Sequence, residues 1–296
     1  MQLISPDEVK KSFVQNFPFV ISILKGIGQI MLQECVYTGI FFLVGIFYGS
    51  VLMGIALILA TFCGTLTAHL LHYDDEDIAR GLYGFNAALV GVALCLFIEN
   101  SFWLWLLIII GALLSTIIQH FFLLKHIQVY TLPFVLTSWF LIWTGQIIAP
   151  LVSNPGTSIL SGASLELLFP LRAFGQVIFQ ENWISGFLFF IGVFLSSRRA
   201  ALFGLTAALI AGLIAFLMGT GITAINQGLL SFNAVLCAIA INDKGKSTFL
   251  LAIGAIIISV LLSLLFLRLS LIQLTFPFVV ATVICLYFNK KTAYNK

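Results

Sequence analysis

The strongest constraint on this chain is that it contains itself twice. Leu24-Lys25-Gly26-Ile27-Gly28-Gln29 returns 147 positions later as Leu171-Arg172-Ala173-Phe174-Gly175-Gln176. Gly81-Leu82-Tyr83-Gly84-Phe85-Asn86-Ala87 returns at the same spacing of 147 as Gly228-Leu229-Leu230-Ser231-Phe232-Asn233-Ala234. Thr131-Leu132-Pro133-Phe134-Val135 returns as Thr275-Phe276-Pro277-Phe278-Val279 at a spacing of 144, so one short deletion separates the second pair from the third. A repeat of this length predicts two structural halves, residues 1–150 and 151–296, enclosing a pathway along their interface.

The halves are made for lipid. Hydrophobic residues are 61% of the chain and charged residues 8%, against about 25% charged in a soluble domain; mean hydropathy is +1.13. A helix that crosses a bilayer needs roughly 20 apolar residues. Five such runs fall in each half, near 13–32, 36–52, 52–72, 101–122 and 128–149, then 165–180, 183–197, 200–219, 248–267 and 270–288. The repeated Gly-rich segment at 81–98 is short and interrupted. It is expected to be a re-entrant half-helix lining a cavity, the alternative being an ordinary span. The expected fold is an all-α integral membrane protein of two inverted-topology repeats, each with five transmembrane helices plus one re-entrant pore helix.

Charge sets an orientation. Five spans per half put both termini on one side, together with Lys10, Lys11, Lys125, Lys244, Lys246, Lys290, Lys291 and Lys296. Arg80, Arg198, Arg199 and Arg268 then fall on the other side, so eight cations against four place both termini in the cytoplasm. The net charge of +3 reports this topology and no nucleic-acid partner. Residues 1–12 carry acids and no cleavage-type ending, so no signal peptide is expected. Cys35, Cys63, Cys95, Cys237 and Cys285 stand alone in apolar stretches, which predicts neither disulfides nor a zinc site.

Polar residues inside this oily sequence carry the functional signal. Gly26-Ile27-Gly28 lacks the strand, third Gly and downstream acid of a dinucleotide loop. His69 and His72 precede Asp74-Asp75-Glu76-Asp77, but the second half has no equivalent, so the group reads as a solvated loop. Lys25 with Glu34, and Arg172 with Glu181, occupy matched positions, and each half is expected to hold its own ion pair at a span end. Glu166 has Phe19 as its counterpart; it either caps a helix N-terminus or rims the pathway as an acceptor. Thr131 and Thr275 each precede a Pro that frees a backbone carbonyl. They would face each other across the central axis, a neutral hydroxyl pair in mid-membrane. Phe85 with Leu89, and Phe232 with Leu236, share one face of each short helix at i, i+4 and would wall a flat slot. Asn86 and Asn233 read as ties for the half-helix ends.

The segments Leu-x-Gly-x-Gly-Gln, Gly81 to Gly91, Leu230 to Leu236, Glu166-Leu167-Leu168 and the two Thr-x-Pro-Phe-Val runs resemble those of the urea transporter family over about residues 15–290. The resemblance implies a bacterial-type unit of ten spans in the inner membrane, assembled as a homotrimer in lipid, passing urea passively with no cofactor and no enzymatic activity. It further implies Thr131 and Thr275 as central acceptors, Phe85, Leu89, Phe232 and Leu236 as the slot, and Glu166 beside Leu167 as an outer binding site. The family's Gln opposite that Glu has no strict match here, and Gln15 or Asn16 would substitute. Urea is planar and neutral, with four N–H donors and one carbonyl, so rows of acceptors suit it better than a tightly binding charge. An ammonia-type gas channel would need paired His, yet His69, His72, His120 and His126 match nothing across the repeat. An ion-coupled transporter would need intramembrane acids, and only Glu166 is a candidate.

Overall fold

The computed structural model describes residues 17–152, 165–242 and 248–294, with side chains to residue 289. These residues form helices in two series. The first runs α1 Pro18–Gln29, α2 Val36–Gly49, α3 Val51–Leu70, α4 Asp75–Ala79, α5 Phe85–Phe97, α6 Phe102–Leu124 and α7 Leu132–Ile148. The second runs α8 Phe169–Gln176, α9 Trp183–Ser196, α10 Arg198–Leu217, α11 Ile222–Asn226, α12 Phe232–Ile241, α13 Thr248–Arg268 and α14 Phe276–Tyr294. Each helix of the first series has its counterpart seven helices later.

The backbone repeats more faithfully than the side chains. The left-handed residues fall in five matched pairs: Leu32 and Phe179, His72 and Gly219, Gly81 and Gly228, His126 and Ser270, Tyr130 and Leu274. Left-handed φ is unfavourable for bulky residues, so such positions persist only where the surroundings impose them. At Gly81 a Cβ would collide with the Gly26 backbone, and at Gly228 it would sit 2.6 Å from the Ala173 nitrogen. Both glycines let one chain segment lie directly against another.

Four helices, α3, α6, α10 and α13, are long and apolar enough to cross a membrane, and α2, α5, α7, α9, α12 and α14 are shorter apolar helices. Large apolar side chains such as Ile55, Ile58, Ile109, Ile117, Leu209 and Leu213 face outward, while Ala56, Ala60, Ala207, Ala208 and Ala211 are buried. Large residues toward lipid and small ones between helices are what close helix packing in a bilayer requires.

Contacts give the helix directions. Gly64 of α3 lies against Ala87, and Gly91 against Ala60, so α3 and α5 are antiparallel. Thr116 of α6 bonds the Tyr83 carbonyl at 3.2 Å, and Gly111 lies against Val90, so α5 and α6 are antiparallel too. Asn86 meets Phe134 while Ile98 meets Gly145, making α5 and α7 parallel. Helix α5 therefore passes from one end of the bundle to the other, where Ile98 bridges Leu151. This corrects the expected return at 81–98. Phe19 packs on Phe62 and His69, and Gly26 lies beside Thr61 and Gly84, so α1 begins and finishes beside the C-terminal half of α3. Its 12 residues reach only about 18 Å.

The two series meet at α2 and α9. Thr38 donates to the Gly192 carbonyl at 2.7 Å, and Ser185, its counterpart, donates to the Gly45 carbonyl at 2.6 Å. Between them Phe42 meets its own counterpart Phe189 with ring centroids 5.1 Å apart. Rising numbers on one helix meet falling numbers on the other, so α2 and α9 run antiparallel.

These directions also correct the charge sorting. Arg80 lines the cavity at the end where α6 finishes in Leu123 and Lys125 follows, and α10 begins with Arg198 and Arg199 at that same end. The opposite end keeps Arg172 and Arg268. The division read from the sequence differs because it returns 81–98 to its own side.

Candidate functional site

At the centre of the bundle the Thr131 and Thr275 hydroxyls hydrogen-bond one another at 2.6 Å. Both residues are buried. Each stands at the break before a short Pro-started helix, where a chain turn exposes backbone N–H groups that the helix leaves unpaired. Asn86 and Asn233 close those breaks. The Asn86 Oδ1 accepts from Phe134 N at 3.1 Å, and the Asn233 Oδ1 from Phe278 N at 3.2 Å. Their amide groups donate in turn to the carbonyls of Tyr130 and Leu274. The asparagines thus tie the short helices α5 and α12 to the breaks in α7 and α14, as expected of them, and hold the two threonines at matched height.

Phe85, Leu89, Phe232 and Leu236 are all buried in the same interior. Phe85 lines a cavity of about 530 Å³ that opens at the Arg80 end. Gln29, Gln119, Gln128 and Asn242 give it amide groups, and Glu34, Asp77 and Arg80 give it charge. Lys25 and Arg80 both bind the Glu34 carboxylate, at 3.0 and 3.2 Å. Burial pushes that carboxyl up, but the two cationic hydrogen bonds outweigh it and hold it below its ordinary value. Burial, with Asp74 close by, raises Asp77.

The opposite corner is wired differently. Arg172 pairs with Glu166 at 2.8 Å, where a pair with Glu181 was expected. Asn226 accepts from the Glu166 N–H at 2.9 Å, and its own carbonyl accepts from Arg172 at 3.2 Å. The Glu166 carboxylate thus neutralises a largely buried guanidinium. Leu167 next to it is 95% exposed. Gln15 and Asn16 lie outside the described residues. The Lys25–Glu34 pair stands as expected. Sequence reasoning missed Asn226, whose counterpart is Ala79, and Tyr130, whose counterpart is Leu274, because neither is repeated.

A model of the urea transporter family matches residues 20–290. The chain belongs to the urea transporter family. It is 29% identical to urea transporter 1 of Ovis aries over 94% of this chain and 79% of that protein. It is 30% identical to urea transporter 1 of Rattus norvegicus over 74% of this chain and 62% of that one. Family members pass urea passively, as channels, and the family is one of transporters.

Proposed function

We propose that urea crosses this protein down its gradient between two inverted halves, past the Thr131–Thr275 pair. The observation that carries the reading is that pair. Two buried hydroxyls bonded only 2.6 Å apart supply acceptors in mid-membrane without any charge to trap the solute. Phe85 with Leu89, and Phe232 with Leu236, form the flat slot on either side. The polar cavity behind Phe85 is the inner vestibule. Glu166, beside Leu167, offers its remaining carboxylate lone pairs to urea at the outer rim, and Gln15 is carried as a substrate-binding residue by the family resemblance alone.

Each half contributes five crossings, α2, α3, α5, α6 and α7 in the first, with α1 as the re-entrant piece. The antiparallel meeting of α2 and α9 supports the inversion. Lys25, Arg80, Lys125, Arg198 and Arg199 at the vestibule end, against Arg172 and Arg268 at the other, support a cytoplasmic vestibule and cytoplasmic termini in a bacterial inner membrane. The assembly proposed from the family resemblance is a homotrimer in lipid.

Stopped-flow light scattering of proteoliposomes tests this. Wild type should pass urea fast and independently of an imposed proton gradient. Thr131→Val and Thr275→Val should each slow it about tenfold, because a buried polar partner is left unpaired at the narrowest point. Urea flux no faster than in empty liposomes would sink the reading.

A further inference from the structure

The two halves share the left-handed turn before the central threonine but not the residue that makes it. In the first half it is Tyr130 (φ 52°), in the second Leu274 (φ 44°). The turn itself is thus a demand of the repeat, and an apolar side chain meets it. What Tyr130 adds is a hydroxyl. That residue is only 5% exposed, and its hydroxyl finds no hydrogen-bond partner among the described residues. A buried hydroxyl left unpaired is costly, and each such group calls for a partner. Tyr130 is also among the residues that border the vestibule of about 530 Å³, alongside Phe85, Ile239 and Ala240. Its ring is held against Phe278 at 5.2 Å between centroids, the residue whose N–H Asn233 secures. The ring that carries the orphan hydroxyl is therefore packed in place, one residue before Thr131 and beside the polar cavity.

We propose that the Tyr130 hydroxyl is a hydrogen-bond station for the permeating solute at the inner mouth of the slot, donating to the urea carbonyl. The inference rests on the urea-pore reading above and adds a specificity-determining residue to it. The amide hydrogens of urea have acceptors in the threonine hydroxyls, whereas its carbonyl must shed its water against a donor. A phenolic O–H supplies one and carries no charge. Because Leu274 supplies none, the pathway is chemically lopsided, with this donor on the vestibule side alone.

Tyr130→Phe removes the hydroxyl and keeps the ring on Phe278. Urea and thiourea are compared in proteoliposomes, thiourea read both by its own flux and by its competition with urea. A thione sulfur accepts hydrogen bonds weakly, so the loss should fall on urea. Urea flux is expected to drop roughly three- to tenfold, the loss of about one hydrogen bond, with thiourea changed by less than twofold and the unfolding temperature unchanged. Unchanged urea flux, or urea and thiourea falling in the same proportion, would overturn the proposal, the latter because a merely structural hydroxyl affects every solute alike. Wild-type liposomes that pass no urea would overturn the pore reading and this proposal with it.

Discussion

The two ends of the helix bundle are built on one backbone and wired with different chemistry. At one end Glu34 is shared by Lys25 and Arg80, all three partly exposed. At the other, Arg172 is almost sequestered and depends on Glu166 and the carbonyl of Asn226. The matched glycines, Gly81 and Gly228, press the same two segments together in both halves. What the comparison teaches is a division of labour. The chain path is dictated by close backbone approach and by left-handed turns, which tolerate few substitutes. Charge neutralisation at each corner is looser and has been solved twice with different partners.

The centre shows the opposite pattern, since Asn86 and Asn233 make the same backbone bonds, and that contrast can be broken by mutation. Asn86→Leu and Asn233→Leu should each cost about 2–3 kcal/mol, since each leaves a buried N–H and carbonyl unpaired. Thermal unfolding in detergent should give nearly equal losses; a large difference would mean that the two breaks are not equivalent. Arg172→Met should cost about 2 kcal/mol, because Glu166 is left without its cation in a partly buried corner. Arg80→Met should cost about 0.5 kcal/mol or less, because Lys25 still pairs with Glu34 and the site is open to water. Equal costs at the two corners would erase the distinction. The smallest effect is with pH. The Glu34 carboxyl is held below its ordinary value of 4.5, so its stabilising effect is complete above that value and is lost as pH falls through the lowered one. The unfolding temperature should hold between about pH 7 and 5 and decline below, with a shallower decline in Glu34→Gln.

Much of this is legible in the sequence. The offsets of 147 and 144 predicted which helices correspond, and Thr131 with Thr275 were expected to meet because each sits beside a Pro at the same repeat position. The sorting of spans was less legible. Residues 81–98 look interrupted because glycines crowd the entrance to α5, yet α5 continues through to the far end. Residues 18–29 look like a span because Pro18, Phe19, Val20 and Ile21 are apolar, yet α1 is cut short where Gly28 lies against the Gln33 carbonyl. Hydropathy records what a segment is surrounded by and is silent on where it turns. The Glu166–Arg172 pair escaped for another reason: Phe19 stands where the repeat would place an acid, so symmetry pointed to Glu181.

The antiparallel contact of α2 with α9 has a consequence for how the molecule is made. Thr38, Phe42 and Gly45 meet residues nearly 150 positions downstream. At a synthesis rate of about 5–20 residues per second, that distance is roughly 7 to 30 s of translation. Throughout that interval the first half sits in the bilayer with its mating face open to lipid. A nascent chain halted before Ser185 should be the species that the cell's membrane quality-control proteases see first.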